Sequence, residues 1–541
     1  MTEPAPARRW LVLVTMCLSL LLIVLDNSIV NVALPSLRDD LDATAGQLQW
    51  IVDAYILVFA GLLLTMGALG DRFGRRGALS LGLGVMAVSS GLSAFADSPD
   101  QLIATRALMG VGAALIMPAT LSIITNVFTD PKERAQAIAI WSATAGLGIA
   151  VGPVTGGWLL EHFWWGSVFL VNLPVVAVAL LLGRLFVPTS KDPSAPPVDI
   201  PGALLSIAGL TALVYAIIEG PHGWTETKVL GGFAAAAVLL VAFALWERRT
   251  AHPMLDMALF RNPRFSAASG AIALTFFGMF GSFFLLTLLL QSVMGYTALE
   301  VGVRLLPMAA TQMVVAPLSA KVAERVGSKI VVAGGLLVAA VGMLLAGRLT
   351  AGSSYAEVAL ALVVLAAGFA SMMPSATEAI MGSVPPDKAG VGSAVNDTTR
   401  ELGGALGVAV LGSLVSSTYG PQVRDAVAGT PLPADAAEAA ADQVGAAMEI
   451  ASRLPAGPAQ LLHDVAADAF IDGMSIALTV GAGALALGAV VAALFLPARA
   501  ADHAGATDAD PAAGHAAGPG SGAEGDDEDP NPRERAVVTT A

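Results

Sequence analysis

Gly67-Ala-Leu-Gly-Asp71-Arg72-Phe-Gly74-Arg75-Arg76 places three glycines, an acid and three arginines in ten residues, where two stretches almost free of charge, 48–69 and 78–96, meet. A helix crosses a hydrocarbon core about 30 Å thick with roughly 20 apolar residues. Both stretches are long enough, so the charged decapeptide reads as a tight turn at a membrane surface. A looser echo, Ala320-Lys321-Val-Ala-Glu324-Arg325-Val-Gly327-Ser-Lys329, repeats the order acid-Arg-x-Gly-x-basic about 250 residues later. Two related halves produce such an echo.

Working outward, fourteen apolar stretches of spanning length run from 10–33 to 472–497. Positive loops stay cytoplasmic. With the N-terminus inside, the inner loops and termini hold twenty Lys and Arg, and the outer loops hold five: Arg38, Lys228, Arg348, Arg424 and Arg453. The expected fold is an all-α polytopic membrane protein with two six-helix bundles and two inserted helices. It sits in the inner (plasma) membrane with both termini cytoplasmic. Its segments are an N-terminus (1–9), a first six-helix bundle (10–187), a linker with two extra transmembrane helices (188–249), the first five helices of a second bundle (250–418), a long extracellular loop (419–470), a last helix (471–497) and a disordered acidic tail (498–541).

Composition agrees. Of 541 residues, 55% are apolar and 13% charged, which is outside the range of an ordinary soluble enzyme. The net charge of -14 is concentrated: from residue 499 on there are nine acids against three arginines, and 419–470 holds seven acids against two. Neither a basic protein partner nor a nucleic acid is implied. The single cysteine, Cys17, leaves no intramolecular disulfide or Cys-rich metal site, and the six histidines are scattered. No metal, cofactor or catalytic constellation is expected.

Two further glycine motifs stand inside spans. Arg106-Ala-Leu-Met-Gly110-Val-Gly112 carries a membrane-embedded arginine, and Gly148-Ile-Ala-Val-Gly152-Pro153-Val-Thr-Gly156-Gly157 sets small residues at four-residue spacing. That spacing puts Gly148, Gly152 and Gly156 on one helix face, where a neighbouring backbone can approach closely, and Pro153 adds a bend.

With Leu25-Asp26-Asn-Ser-Ile-Val-Asn31-Val-Ala-Leu-Pro35 and Trp50-Ile-Val-Asp53-Ala-Tyr55, these motifs make the chain resemble the fourteen-helix drug:proton antiporters of the major facilitator superfamily over roughly residues 8–497. Trp50 to Tyr55 and the long loop before the last span look closest to the quaternary-ammonium exporters of that group. The resemblance implies a cytoplasmic gate at Gly67, Asp71, Arg72, Gly74, Arg75 and Arg76, and an antiporter motif at Gly148, Gly152, Pro153, Gly156 and Gly157.

Acids inside a bilayer cost at least about 2.5 kcal/mol at a helix centre, so each needs a reason. Asp26 and Asp53 are candidates for both proton and substrate, with Arg106 either handling protons or simply bonding helices. Asp397 and Glu401, four residues apart, share a helix face. Burial and mutual repulsion favour protonation there, unless Arg400 forms an ion pair with an acid. Asp397 and Glu401 are thus proton candidates, and Trp50, Tyr55 and Glu401 complete the substrate candidates, while Phe276 and its neighbours read mainly as packing. Glu378 reads as interfacial, and Gln312 stands where relatives selecting divalent cations have an acid.

The expected activity is proton-coupled export of a lipophilic, cationic drug, dye or antibiotic by a monomer in the lipid bilayer, driven by the proton gradient. The alternatives are a uniporter or symporter of the same superfamily and a membrane-embedded enzyme.

Overall fold

The computed structural model describes residues 6–41, 43, 45–190, 199–220, 223–251, 253–428 and 432–496. Residues 191–198 of the linker and all of the tail 498–541 lie outside the described residues. The first half contains α1 (Pro6–Leu41), α2 (Ala45–Phe73), α3 (Arg75–Ala94), α4 (Pro99–Val127), α5 (Pro131–His162), α6 (Ser167–Leu170) and α7 (Asn172–Phe186). A hairpin follows, α8 (Ile200–Glu219) and α9 (Thr227–Glu247). The second half contains α10 (Pro263–Leu288), α11 (Ala298–Arg304), α12 (Leu306–Val326), α13 (Ser328–Ala346), α14 (Tyr355–Met381), α15 (Ala389–Val427), α16 (Ala434–Asp442), α17 (Val444–Ser452) and α18 (Ala456–Phe495). Among the described residues there is no strand, and fourteen helical segments are long and apolar enough to cross a membrane.

Local sequence sets the helix starts. Ser98-Pro99, Asp130-Pro131 and Asn262-Pro263 each pair a capping side chain with a proline at the first helical position, where the missing N–H costs nothing. Asp130 accepts from Lys132 N at 2.9 Å and Glu133 N at 3.0 Å. These bonds, that from Glu133 foremost, hold its carboxyl below the usual carboxylate range. Thr297 with Glu300 and Ser354 with Glu357 form complete capping boxes on α11 and α14. Pro307, second residue of α12, separates it from α11.

The helices bury two large apolar cores. One runs from Val12 to Val187 and takes in Met381 and Ala389 of the second half; the other runs through the second bundle and includes Leu64 of α2, Leu210 of α8 and Phe243 of α9. The inserted hairpin therefore shares the apolar core of the second bundle. It touches the first through α2, where the Thr65 and Ser206 hydroxyls lie 3.4 Å apart. Between the bundles, α5 packs on α11, α12 and α14, while α15 packs on α2 and α4.

The segment 419–470 is not an open loop. α15 continues to Val427 and α18 begins at Ala456, so each helix is close to 60 Å long at about 1.5 Å per residue, well beyond a hydrocarbon core. Alanine-rich sequence sustains the start of α18 and the short helices α16 and α17, whereas the extension of α15 runs on through Pro421. Tyr419 donates to the Ala440 carbonyl at 2.7 Å, and Val423, Ala440, Val444, Ala447, Leu462 and Phe470 carry the core outward.

Candidate functional site

In the middle of α1, Asp26 is 1% exposed and Arg106 of α4 is fully buried. Arg106 Nη1 meets Asp26 Oδ2 at 2.6 Å, and Asn172 Nδ2 donates to Asp26 Oδ1 at 2.8 Å. Arg106 Nε donates to the Ile51 carbonyl at 3.1 Å, and its guanidinium stacks 4.4 Å from the Tyr55 ring centre. An intramembrane acid with its charge matched and both oxygens hydrogen-bonded is stable only as a set. Asn172 was not among the candidates, although a lone amide in the apolar run 167–183 is a readable signal.

The remaining candidates of α2 separate. Tyr55 is fully buried beneath Arg106, Trp50 is 38% exposed, and Asp53 is half-buried. Residues two apart on a helix do not share a face, so Asp53 does not join Tyr55.

On α15, Asp397 is 1% and Arg400 4% exposed. Asp397 accepts from Asn396 Nδ2 at 3.2 Å and Ser393 Oγ at 3.4 Å, and forms a loose ion pair with Arg400, whose Nη1 is 3.7 Å away. Glu401 is half-buried, and among the described residues none hydrogen-bonds or ion-pairs with it. Tyr55 is in electrostatic reach of Asp26 on one side and Glu401 on the other. A neutralised ion pair of the first bundle and a carboxyl of the second without a hydrogen bond thus both act on the same tyrosine.

The charged turn works at one face of the molecule, here the turn face. Gly74 takes φ +114° between α2 and α3, a conformation that favours glycine. Asp71 forms a buried pair with Arg75 at 2.7 Å and accepts from the Gly390 and Val391 N–H groups at 2.9 and 3.0 Å. It therefore caps the positive end of α15. Arg75 also donates to the Pro386 carbonyl at 2.8 Å. Arg76 reaches the Val187 carbonyl within its own bundle, and Arg72 lies over Phe73. A second clasp, not among the candidates, joins Arg134 of α5 to both oxygens of Glu378 on α14, from Nε at 3.0 Å and from Nη2 at 2.5 Å. Glu378, read as interfacial, is a buried ion-pair partner. The echo turn has the same backbone, with Gly327 at φ +92°, but Glu324 and Arg325 are exposed.

At the turn face the two bundles approach closely at Gly67, where an added Cβ would lie 2.6 Å from the Gly390 carbonyl oxygen and the Ala394 Cβ. Gly67→Val is expected to leave each bundle folded but hold them apart. The usual overpacking cost of about 1–3 kcal/mol lowers the ratio of shut to open at the turn face about five- to 150-fold. Spin-label distances across that face check it.

Gly148, Gly152 and Gly156 face α1, against Val24, Ser28 and Ile29, with half-buried Gly157 next in line. The stripe therefore tightens the first bundle. Another face of α5 meets the second bundle, through Gly146 against buried Gln312 and Pro153 against Gly302. Nothing is described of the side chains of Asn31 and Pro35.

The Major Facilitator Superfamily model matches residues 16–408. The "Multidrug efflux pump LfrA" of Mycolicibacterium smegmatis is 38% identical over 91% of this chain and 98% of its own. The "Tetracenomycin C resistance and export protein" of Streptomyces glaucescens is 35% identical over 90% of this chain and 91% of its own. The "Methyl viologen resistance protein SmvA" of Salmonella typhimurium is 34% identical over 89% of this chain and 97% of its own. Among solved structures, the human organic anion transporter MFSD10 (TETRAN) matches with a TM-score of 0.62 and 17% identity over 90% of this chain and 100% of its own, a likeness of fold alone.

Proposed function

Because the chain belongs to the Major Facilitator Superfamily, we propose that it is a multidrug exporter that exchanges a lipophilic, cationic guest for protons across the plasma membrane. The observation that carries this reading is Glu401, an intramembrane carboxyl without a hydrogen bond or ion pair among the described residues, set opposite the closed Asp26–Arg106 pair. Relatives named for multidrug efflux, tetracenomycin C export and methyl viologen resistance support a small-molecule guest.

The turn face is cytoplasmic, as its arginines require, and both termini lie on that side. With the bundles clasped there by Asp71, Arg75 and Arg134, the cleft faces outward. A proton from outside neutralises Glu401, the cationic guest loses its counter-charge and leaves, and the bundles rock. Opening at the turn face then delivers the proton to the cytoplasm and admits the next guest. Each pH unit supplies about 1.4 kcal/mol. Membrane potential adds about 2.3 kcal/mol per charge per 100 mV only when more protons enter than cationic charges leave. Asp397 is the second proton site when two are used. Both bundles of the site come from one chain, so the transporting unit is the monomer.

Purified protein in liposomes with an imposed pH gradient, offered a panel of cationic dyes and antibiotics, is expected to concentrate several of them on the acidic side. Movement of every compound only down its own gradient, unaffected by the pH difference, would exclude the exchange.

A further inference from the structure

Arg400 carries five N–H donors and finds few acceptors. Nη2 donates to Thr377 Oγ1 at 3.2 Å, Nη1 lies 3.7 Å from Asp397, beyond hydrogen-bond length, and Nε has no acceptor. Arg106, equally deep in the first bundle, meets its acid at 2.6 Å. What Arg400 has instead is aromatic surface: the Trp141 ring centre 5.0 Å and the Phe276 ring centre 5.4 Å from its guanidinium carbon. A ring face attracts a desolvated cation electrostatically. Phe276, Thr377 and Asp397 belong to α10, α14 and α15, all in the second bundle, whereas fully buried Trp141 belongs to α5 of the first.

Trp141 stands seven residues, two helical turns, from Arg134, so both lie on one face of α5. That face carries the Arg134–Glu378 clasp. Parting the bundles at the turn face withdraws both side chains together.

We propose that Trp141 is a positioning residue for the proton exchange: with the turn face shut, its indole keeps the Arg400 guanidinium in a loose ion pair with Asp397, short of full closure on Asp397 and Glu401. When the face opens, Arg400 loses the ring and closes on those carboxyls. The approaching cation favours their ionised form; the carboxyl O–H bond breaks, its electron pair stays on the oxygen, and the proton passes to water at the turn face. Proton uptake is thereby confined to the outward-facing state and release to the inward-facing one. The charged groups acting on Arg400 are Asp397 and Glu401 of its own helix. Among the contacts described, α5 presents Trp141, α10 Phe276 and α14 Thr377, all uncharged, and Tyr55 of α2 faces Glu401.

The inference rests on the proton-coupled reading and is tested beside it. Full-length protein in detergent is mixed with ethidium in lightly buffered solution, and proton release is followed with a pH indicator across a range of starting pH. In Trp141→Leu, Arg400 sits on the acids in both states, so the midpoint of release falls by about one pH unit, the tenfold change in proton affinity expected from losing a buried cation–π contact. Trp141→Phe keeps a ring face and the wild-type midpoint. Trp141→Met, apolar and flexible, replaces the leucine variant if that one does not fold, with the same expected shift. A merely structural role would lower the melting temperature and leave the midpoint in place. An unmoved midpoint in the leucine or methionine variant overturns this inference alone. A wild type that binds ethidium and releases no proton at any pH overturns the coupled reading and this inference with it.

Discussion

Arg106→Met is expected to cost the folded protein about 3–5 kcal/mol, the usual penalty for removing one partner of a buried ion pair. The arginine is fully buried and Asp26 is 1% exposed, so no water replaces the lost 2.6 Å contact. Unfolding in mixed micelles by titration with sodium dodecyl sulfate reads the loss. Asp26→Asn added to Arg106→Met removes the stranded charge, and stability should largely return. Because Asn172 and Tyr55 adjoin the same pair, the two substitutions are strongly non-additive. A double variant as unstable as Arg106→Met alone would show that the pair is no unit.

The second large effect concerns coupling rather than folding. In the proposed exchange, a gradient of one pH unit holds about a tenfold concentration ratio of a monovalent guest against one proton. Glu401→Gln removes the titrating group while keeping the side chain's shape. Its steady-state ratio in liposomes is expected to fall to about one, with the protein still folded and able to let the guest equilibrate. An accumulation ratio that stayed near ten would move proton carriage to another acid. Asp397→Asn serves as the comparison. Its carboxyl already accepts from Asn396 and Ser393, and it affects accumulation to the extent that two protons are used.

The helices were readable because a bilayer demands long apolar runs, and proline beside Ser, Asp or Asn marks their starts. The echo at 320–329 was readable as a second turn, and Gly327 reproduces the backbone of Gly74. It does not reproduce the contacts, since charge order records ancestry while partners depend on what stands opposite. Asp26 and Arg106 are 80 residues apart, a separation at which periodicity says nothing about distance. The four-residue spacing of Asp397 and Glu401 was readable, but the looseness of the Arg400 ion pair was hidden because Trp141 is remote in sequence. Arg134 was counted only as a cytoplasmic charge, since a loop tally cannot show that a side chain turns inward. The helical build of 419–470 was hidden by its polar composition, which reads as a connecting loop, whereas α15 and α18 run on into it.

The inserted hairpin has a consequence for how guests arrive. α8 packs on α2 and on α15, the helices that meet where the two bundles adjoin along one flank, and Trp224 beyond it bonds Ser413 of α15 at 2.8 Å. The hairpin therefore covers part of that flank. A compound dissolved in the membrane is therefore expected to approach the central acids from the other flank, past α5 and α12. Bulky labels on lipid-facing positions of α12, such as Met313 and Leu318, should slow its entry, whereas the same labels on α9 should not.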